Sequence, residues 1–90
     1  MTTVVVDGGV MTSREAAHDL LAARLGLPEY YGRNLDALYD ALTERAEPTR
    51  LVLLHREELA ERLGEYAGAL LETLEDADRA NPALEVLYEK

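Results

Sequence analysis

Asp36, Asp40 and Thr43 stand three or four residues apart, so a helix through this stretch would bring all three to one side, with Tyr39 adjoining. Leu35, Leu38, Ala41 and Leu42 interleave with them as an apolar stripe pointing elsewhere. Tyr30 and Tyr31 come just before, and such aromatic residues are enriched where proteins grip one another. From Glu29 to Glu47 the acids Glu29, Asp36, Asp40, Glu44 and Glu47 outnumber the bases Arg33 and Arg45. Two carboxylates one helical turn apart suit general acid–base chemistry, a cation site, or recognition of a basic surface.

The first two options lack companions. No apolar setting surrounds Asp36 or Asp40 to raise a pKa. The chain has no Gly-rich phosphate loop, no Ser-centred nucleophile motif and no His pair at metal-ligand spacing. No enzyme activity, cofactor or metal is expected. His18 falls beside an apolar stripe and reads as an ordinary helix residue. His55 ends an apolar run, a place where parallel-sheet proteins do put ligands, but it has no partner in sequence. Structural explanations also stand beside the functional ones. Asp36 in a first turn favours the helix dipole, and Asp40 fits a solvated face. The tyrosine pair suits a half-buried core, Asn34 suits a helix cap, and the acids of the last helix suit an outer surface.

The elements that must position these residues follow from periodicity and punctuation. Thr3–Val6 is β-branched throughout and stops at Asp7-Gly8-Gly9, a strand and a turn. Thr12-Ser13-Arg14-Glu15 reads as a capping box with the Thr12 hydroxyl at the cap. The helix it opens carries Ala17, Leu20, Leu21 and Leu25 and ends at Gly26. Glu29–Arg33 is a loop, and Asn34 caps the helix that follows. Leu51–Leu54 is continuously apolar, as expected of a central strand covered on both faces. Arg56–Leu63 and Glu65–Ala80 read as helices separated by Gly64, and Asn81-Pro82 stops the second. Leu84–Tyr88, with Glu85 inside it, reads as an edge strand. Helices between all the strands demand crossovers, hence a parallel three-stranded α/β sheet with four helices in one domain spanning residues 1–90.

Composition narrows the partner. With 18 acids against 9 bases the 90-residue chain carries a net charge of −9, which repels nucleic acid and attracts basic proteins or cations. The bland alternative is that this charge only keeps a small protein soluble. The absence of cysteine excludes disulfides and thiolate chemistry. With no leader-like start and no apolar run near membrane length, a cytoplasmic location is expected.

Leu27-Pro28-Glu29-Tyr30-Tyr31-Gly32-Arg33-Asn34-Leu35-Asp36-Ala37-Leu38-Tyr39-Asp40-Ala41-Leu42-Thr43 closely resembles the signature segment of the barstar family of intracellular ribonuclease inhibitors. The element order follows that family more loosely over nearly the whole chain. The resemblance implies helices packed mainly on one face of the sheet. It also implies a monomer that blocks the active site of a secreted, guanyl-type (barnase-like) microbial ribonuclease in a 1:1 complex, without a cofactor. Asp40 would take the place of substrate phosphate among the nuclease's arginines and catalytic histidine, and Asp36 would meet basic residues at the cleft. Tyr30 would pack on the catalytic histidine, with Tyr31, Gly32 and Asn34 shaping that loop. Thr43 would face a catalytic lysine, and Asp76 would lie near a further interface acid of the last long helix. Three departures bear on target choice: Tyr39 stands where the family has tryptophan, Arg33 replaces an acid, and the family's cysteines are missing. The rival reading is an acidic binding module that turns the same helix toward a different basic protein.

Overall fold

The computed structural model describes residues 1–89. The β-branched N-terminal run forms β1 (Thr2–Asp7), and a single 3-10 turn (Gly8–Val10) leads from it into α1 (Arg14–Leu25). After the tyrosine loop come α2 (Leu35–Thr43) and β2 (Thr49–Leu54), then α3 (Arg56–Leu63), α4 (Glu65–Ala80) and β3 (Leu84–Glu89). The sheet is wholly parallel in the order β1-β2-β3, so the continuously apolar strand is central and the strand carrying Glu85 lies at an edge. No helix among the described residues is long and apolar enough to cross a membrane.

Register explains why the helices gather on one side. Val4 pairs with Leu51 and Leu51 with Val86, while Val6 pairs with Leu53 and Leu53 with Tyr88. These side chains share one face and join the core with Ala17 and Leu21 of α1, Leu38 and Leu42 of α2, and Leu70 and Leu74 of α4. The opposite face carries the row Val5, Val52 and Leu87. A central strand covered on both faces is therefore corrected. Val52 is only 5% exposed, yet Val5 and Leu87, paired with it on either side, remain 38% and 37% exposed, and none of the three joins the helix-packed core. Beside that row Arg50 and Glu85, paired in register, form an ion pair at 2.6 Å across β2 and β3.

The helix ends follow local chemistry, with one correction. Ser13, not Thr12, caps α1: the Ser13 hydroxyl accepts from the Ala16 N–H at 3.0 Å. The Thr12 N–H instead donates to the Val10 carbonyl at 3.0 Å and closes the preceding turn. A hydroxyl on either residue could start a helix here, and that turn fixes which one does. Gly26 ends α1 in the left-handed conformation (φ 67°), where a side chain would be strained.

The C-terminal end of α2 is held from two sides. Asn81, at the end of α4, is buried; its amide donates to the Leu42 carbonyl at 2.8 Å and the Arg45 carbonyl at 2.9 Å, and its oxygen accepts from the Ala83 N–H at 2.9 Å. The Arg45 guanidinium reaches the Leu25 carbonyl of α1 at 2.9 Å and the buried Thr49 hydroxyl at 2.8 Å. The end of α2 is thereby tied to the ends of α1 and α4 and the start of β2. Replacing Asn81 with Ala would leave two carbonyls and one N–H without their partner in a buried setting. The expected cost is about 1–3 kcal/mol, read as a lower urea midpoint at unchanged slope; an unmoved midpoint would show that these bonds contribute no net stability.

Candidate protein-binding site

Asn34 starts α2 as expected, its side-chain oxygen accepting from the Ala37 N–H at 2.7 Å. Starting the helix there fixes its rotation. Leu38 and Leu42 are buried, and Asp36, Tyr39 and Asp40 are exposed. Among the described residues neither Asp36 nor Asp40 forms an ion pair or a side-chain hydrogen bond. Thr43 turns its hydroxyl back along the helix and donates to the Tyr39 carbonyl at 2.8 Å, leaving only its acceptor capacity for anything outside.

The two tyrosines of the loop part company. Tyr30 is 89% exposed, whereas Tyr31 is 8% exposed and belongs to the core. A backbone bond from the Tyr31 N–H to the Pro28 carbonyl at 3.0 Å closes the turn that separates them. Gly32 sits close against the first turn of α2: a Cβ there would lie 3.2 Å from that of Ala37 and 3.3 Å from the Asn34 amide nitrogen. The loop can lie this close to the helix because residue 32 has no side chain.

The anchor of this loop is a residue whose role the sequence did not reveal. His18 of α1 is 1% exposed, and its two ring nitrogens lie 2.6 Å from the hydroxyls of Tyr31 and Tyr66. A neutral imidazole has one N–H and one bare nitrogen, so one tyrosine accepts from it and the other donates to it. His18 thus joins the loop, α1 and α4 through one ring, and nothing in its own position on α1 indicated that. The only available sign was a pair of tyrosines 48 and 13 residues away whose hydroxyls need partners when buried. Burial, with lesser effects from Tyr66 and an opposing one from Arg33, pushes the Tyr31 hydroxyl up to about 12.

Two grooves flank the helix. One, of about 420 Å³, is lined by Tyr30, Tyr31, Gly32 and Asp40 together with Glu44 and Arg45. The other, of about 400 Å³, holds Asn34 and Asp36 beside Arg14, Arg33 and Tyr66. Arg33 adopts φ 53° and pairs with Asp19 of α1, while Arg14 stacks over the Tyr66 ring at 4.5 Å. The residues singled out from the sequence therefore divide: Tyr30 and Asp40 share one groove, and Asp36 lies on the other side among arginines. Asp76, on α4, lines neither groove and is paired with Arg79.

A one-sided parallel sheet whose helices present unpaired carboxylates behind an exposed tyrosine defines a small α/β protein built around an acidic face. Residues 1–89 match the family model described as Barstar (barnase inhibitor). The chain is also 42% identical over 78 residues to a Bacillus subtilis (strain 168) protein named "Putative ribonuclease inhibitor YrdF", an alignment covering 86% of each. The chain belongs to the barstar family.

Burial holds the His18 imidazole below its ordinary value, Arg33 adds to the effect, and Asp19 and Glu15 oppose it. The unfolded chain then binds this proton more readily than the folded one, so His18 supports the fold above about pH 6.5 and that support is lost on acidification below it. His55, raised by the hydrogen bond it donates to Asp7, acts in the opposite sense and loses its contribution as pH rises through its elevated value. The informative quantity is the difference between wild type and His18→Gln in urea midpoint. It should shrink as pH falls below 6.5; a difference that stays constant with pH would exclude a neutral, buried His18.

Proposed function

We propose that this protein is a stoichiometric inhibitor of a secreted, guanyl-type microbial ribonuclease, acting as a monomer in a 1:1 complex in the cytoplasm. The family to which it belongs is described by barnase inhibition, and the Bacillus subtilis relative is named for ribonuclease inhibition, which supports an inhibitor rather than a catalyst. The observation that carries the reading is the shared groove lined both by exposed Tyr30 and by Asp40, which forms no ion pair among the described residues. A nuclease binds phosphate with fixed cations, so a carboxylate delivered at the phosphate position finds its partners already oriented. In this reading Asp40 takes the phosphate position and Tyr30 covers the catalytic histidine. Asp36 and Thr43 meet the cationic rim, Tyr39 lies alongside, and Asn34, Gly32 and Tyr31 set the shape of the loop. Asp76 contributes after release from Arg79.

Arg33 and Arg14 beside Asp36 bear on the choice of target. They make the second groove charge-mixed rather than purely acidic, so beside the cation that meets Asp36 the nuclease carries an acid or a neutral acceptor opposite the arginines. This favours a target whose charge pattern differs from that of barnase.

Titration of a purified guanyl-specific ribonuclease with this protein should reach full inhibition at one equivalent. Asp40→Ala should weaken inhibition by about 2–5 kcal/mol, the range measured for truncated charge pairs at interfaces of this kind. Glu72→Ala, on the exposed side of α4, should leave inhibition within about 0.5 kcal/mol; equal inhibition constants for the two variants would refute the placement of Asp40. Association should also slow steeply as salt shortens screening below about 10 Å, and an on-rate indifferent to salt would remove the electrostatic element of the proposal.

A further inference from the structure

A second constellation of ligand-type side chains lies where the strands end, and its lining shares no residue with either groove beside α2. Asp7 is the last residue of β1, His55 follows β2, and Glu58 stands in the first turn of α3. Ligand atoms from the three, one each, all lie within 4.8 Å of one another. The parallel β1–β2 pairing sets Asp7 opposite Leu54, and His55 follows in the left-handed conformation (φ 57°) with its Nδ1 2.7 Å from Asp7 Oδ1. The Gly9 N–H donates to the same Asp7 oxygen at 2.7 Å. Glu58 approaches over residue 9: a Cβ there would lie only 2.3 Å from its Oε2, so a side chain at this position would displace the carboxylate from the cluster. No sequence spacing announces this set, because 48 residues separate Asp7 from His55.

We propose that Asp7, His55 and Glu58 form a binding site for a late first-row divalent cation of the zinc type. One imidazole nitrogen and two carboxylate oxygens suit such an ion better than magnesium or calcium, which favour oxygen-only sets. Ligand atoms about 2.0–2.2 Å from a tetrahedral ion stand roughly 3.3 Å apart. Nδ1 and Oδ1 need to separate by only about half an ångström as the ion replaces the proton between them. All three side chains are open to solvent or half so, and His55 and Glu58 border a recess of about 380 Å³ that also contains Glu89. Arg56, in the same recess, is turned onto the Tyr88 ring at 4.5 Å, and the Arg62 charge, which reaches Asp7, is offset by the two carboxylates. Three protein ligands leave the fourth position to water or to a group from another molecule.

Zinc chloride titrated into the chelator-treated, full-length protein tests the site, with calorimetry for stoichiometry and long-range imidazole NMR for the ligating nitrogen. One zinc per chain is expected, with the shift confined to His55 and His18 unmoved. Binding should be lost in His55→Gln and Asp7→Asn. Glu58→Gln, a surface change that keeps the fold, should weaken it by about tenfold or more. Unchanged far-UV circular dichroism would show that the variants lose a ligand and not their structure. The proposal is overturned by no binding at millimolar zinc, by undiminished binding in His55→Gln, or by a shift at His18 in place of His55.

Discussion

A carboxylate can stand in for phosphate only while its own chain leaves it uncompensated and yet holds it still. These two demands conflict, because the usual ways of fixing an acidic side chain, an ion pair or a bond from a backbone N–H, also use up its charge. In the proposed inhibitor the conflict is resolved one step back from the charge. Among the described residues Asp36 and Asp40 form no ion pair, and what is fixed is the helix beneath them. Asn34 sets where α2 begins, Leu38 and Leu42 fix its rotation by burial, and Asn81 and Arg45 tie down its last carbonyls and the chain beyond. None of these contacts is made to a carboxylate of α2, so the positioning itself uses up neither acid, although the Arg45 guanidinium borders the same groove as Asp40.

The tyrosine loop obeys the same division. Tyr31 supplies the anchor and Tyr30 the exposed ring, and the turn closed on Pro28 separates them. His18 is suited to the anchor because a neutral imidazole satisfies two hydroxyls at once, which no apolar residue could do. The arrangement carries a liability: a protonated ring would have two N–H donors, and both tyrosines would have to accept. Burial resists that protonation, so the loop is secured by keeping one histidine uncharged inside a strongly acidic protein.

Much of the frame was legible because it rests on local chemistry. Asn34, Gly26, Gly64 and Asn81 each end or begin a helix for reasons visible within a few residues, and Glu65–Ala80 has the bounds its periodicity gave. The continuous apolar run at Leu51–Leu54 marked the central strand, although a sheet covered on one side also yields such a run when neighbouring strands shield the middle residue, as Val5 and Leu87 do for Val52. Ser13 won the cap from Thr12 by one residue, a distinction set by the preceding turn. What stayed illegible is long-range. The spacing of Asp36 and Asp40 was plain, but not that they border different grooves. Tyr30 and Tyr31 are identical in type, and only the packing of His18 against Tyr31 and Tyr66 separates anchor from exposed ring. Asp7, His55 and Glu58 meet because parallel strands end at one level, which no linear pattern records.

Charge placement connects the acidic face to the rest of the surface. Of the eight arginines, Arg33, Arg45, Arg50 and Arg79 form ion pairs and Arg14 and Arg56 stack on tyrosine rings. Exposed pairs of this kind add little to stability, about 0–1 kcal/mol each. Their larger consequence is directional. Each of these six arginines is held beside a particular acid or ring, and among the described residues none of the ion pairs involves Asp36 or Asp40. Asp19, Glu47, Glu85 and Asp76 are partly neutralised where they stand, whereas among the described residues Asp36, Asp40 and the adjoining Glu44 enter no ion pair, as is also true of Glu57 and Glu61 on α3 and Glu65 and Glu72 on α4. In the proposed complex the unpaired acids of α2 add to the field that orients an approaching cationic cleft before contact, so where the arginines pair matters more to that encounter than to folding.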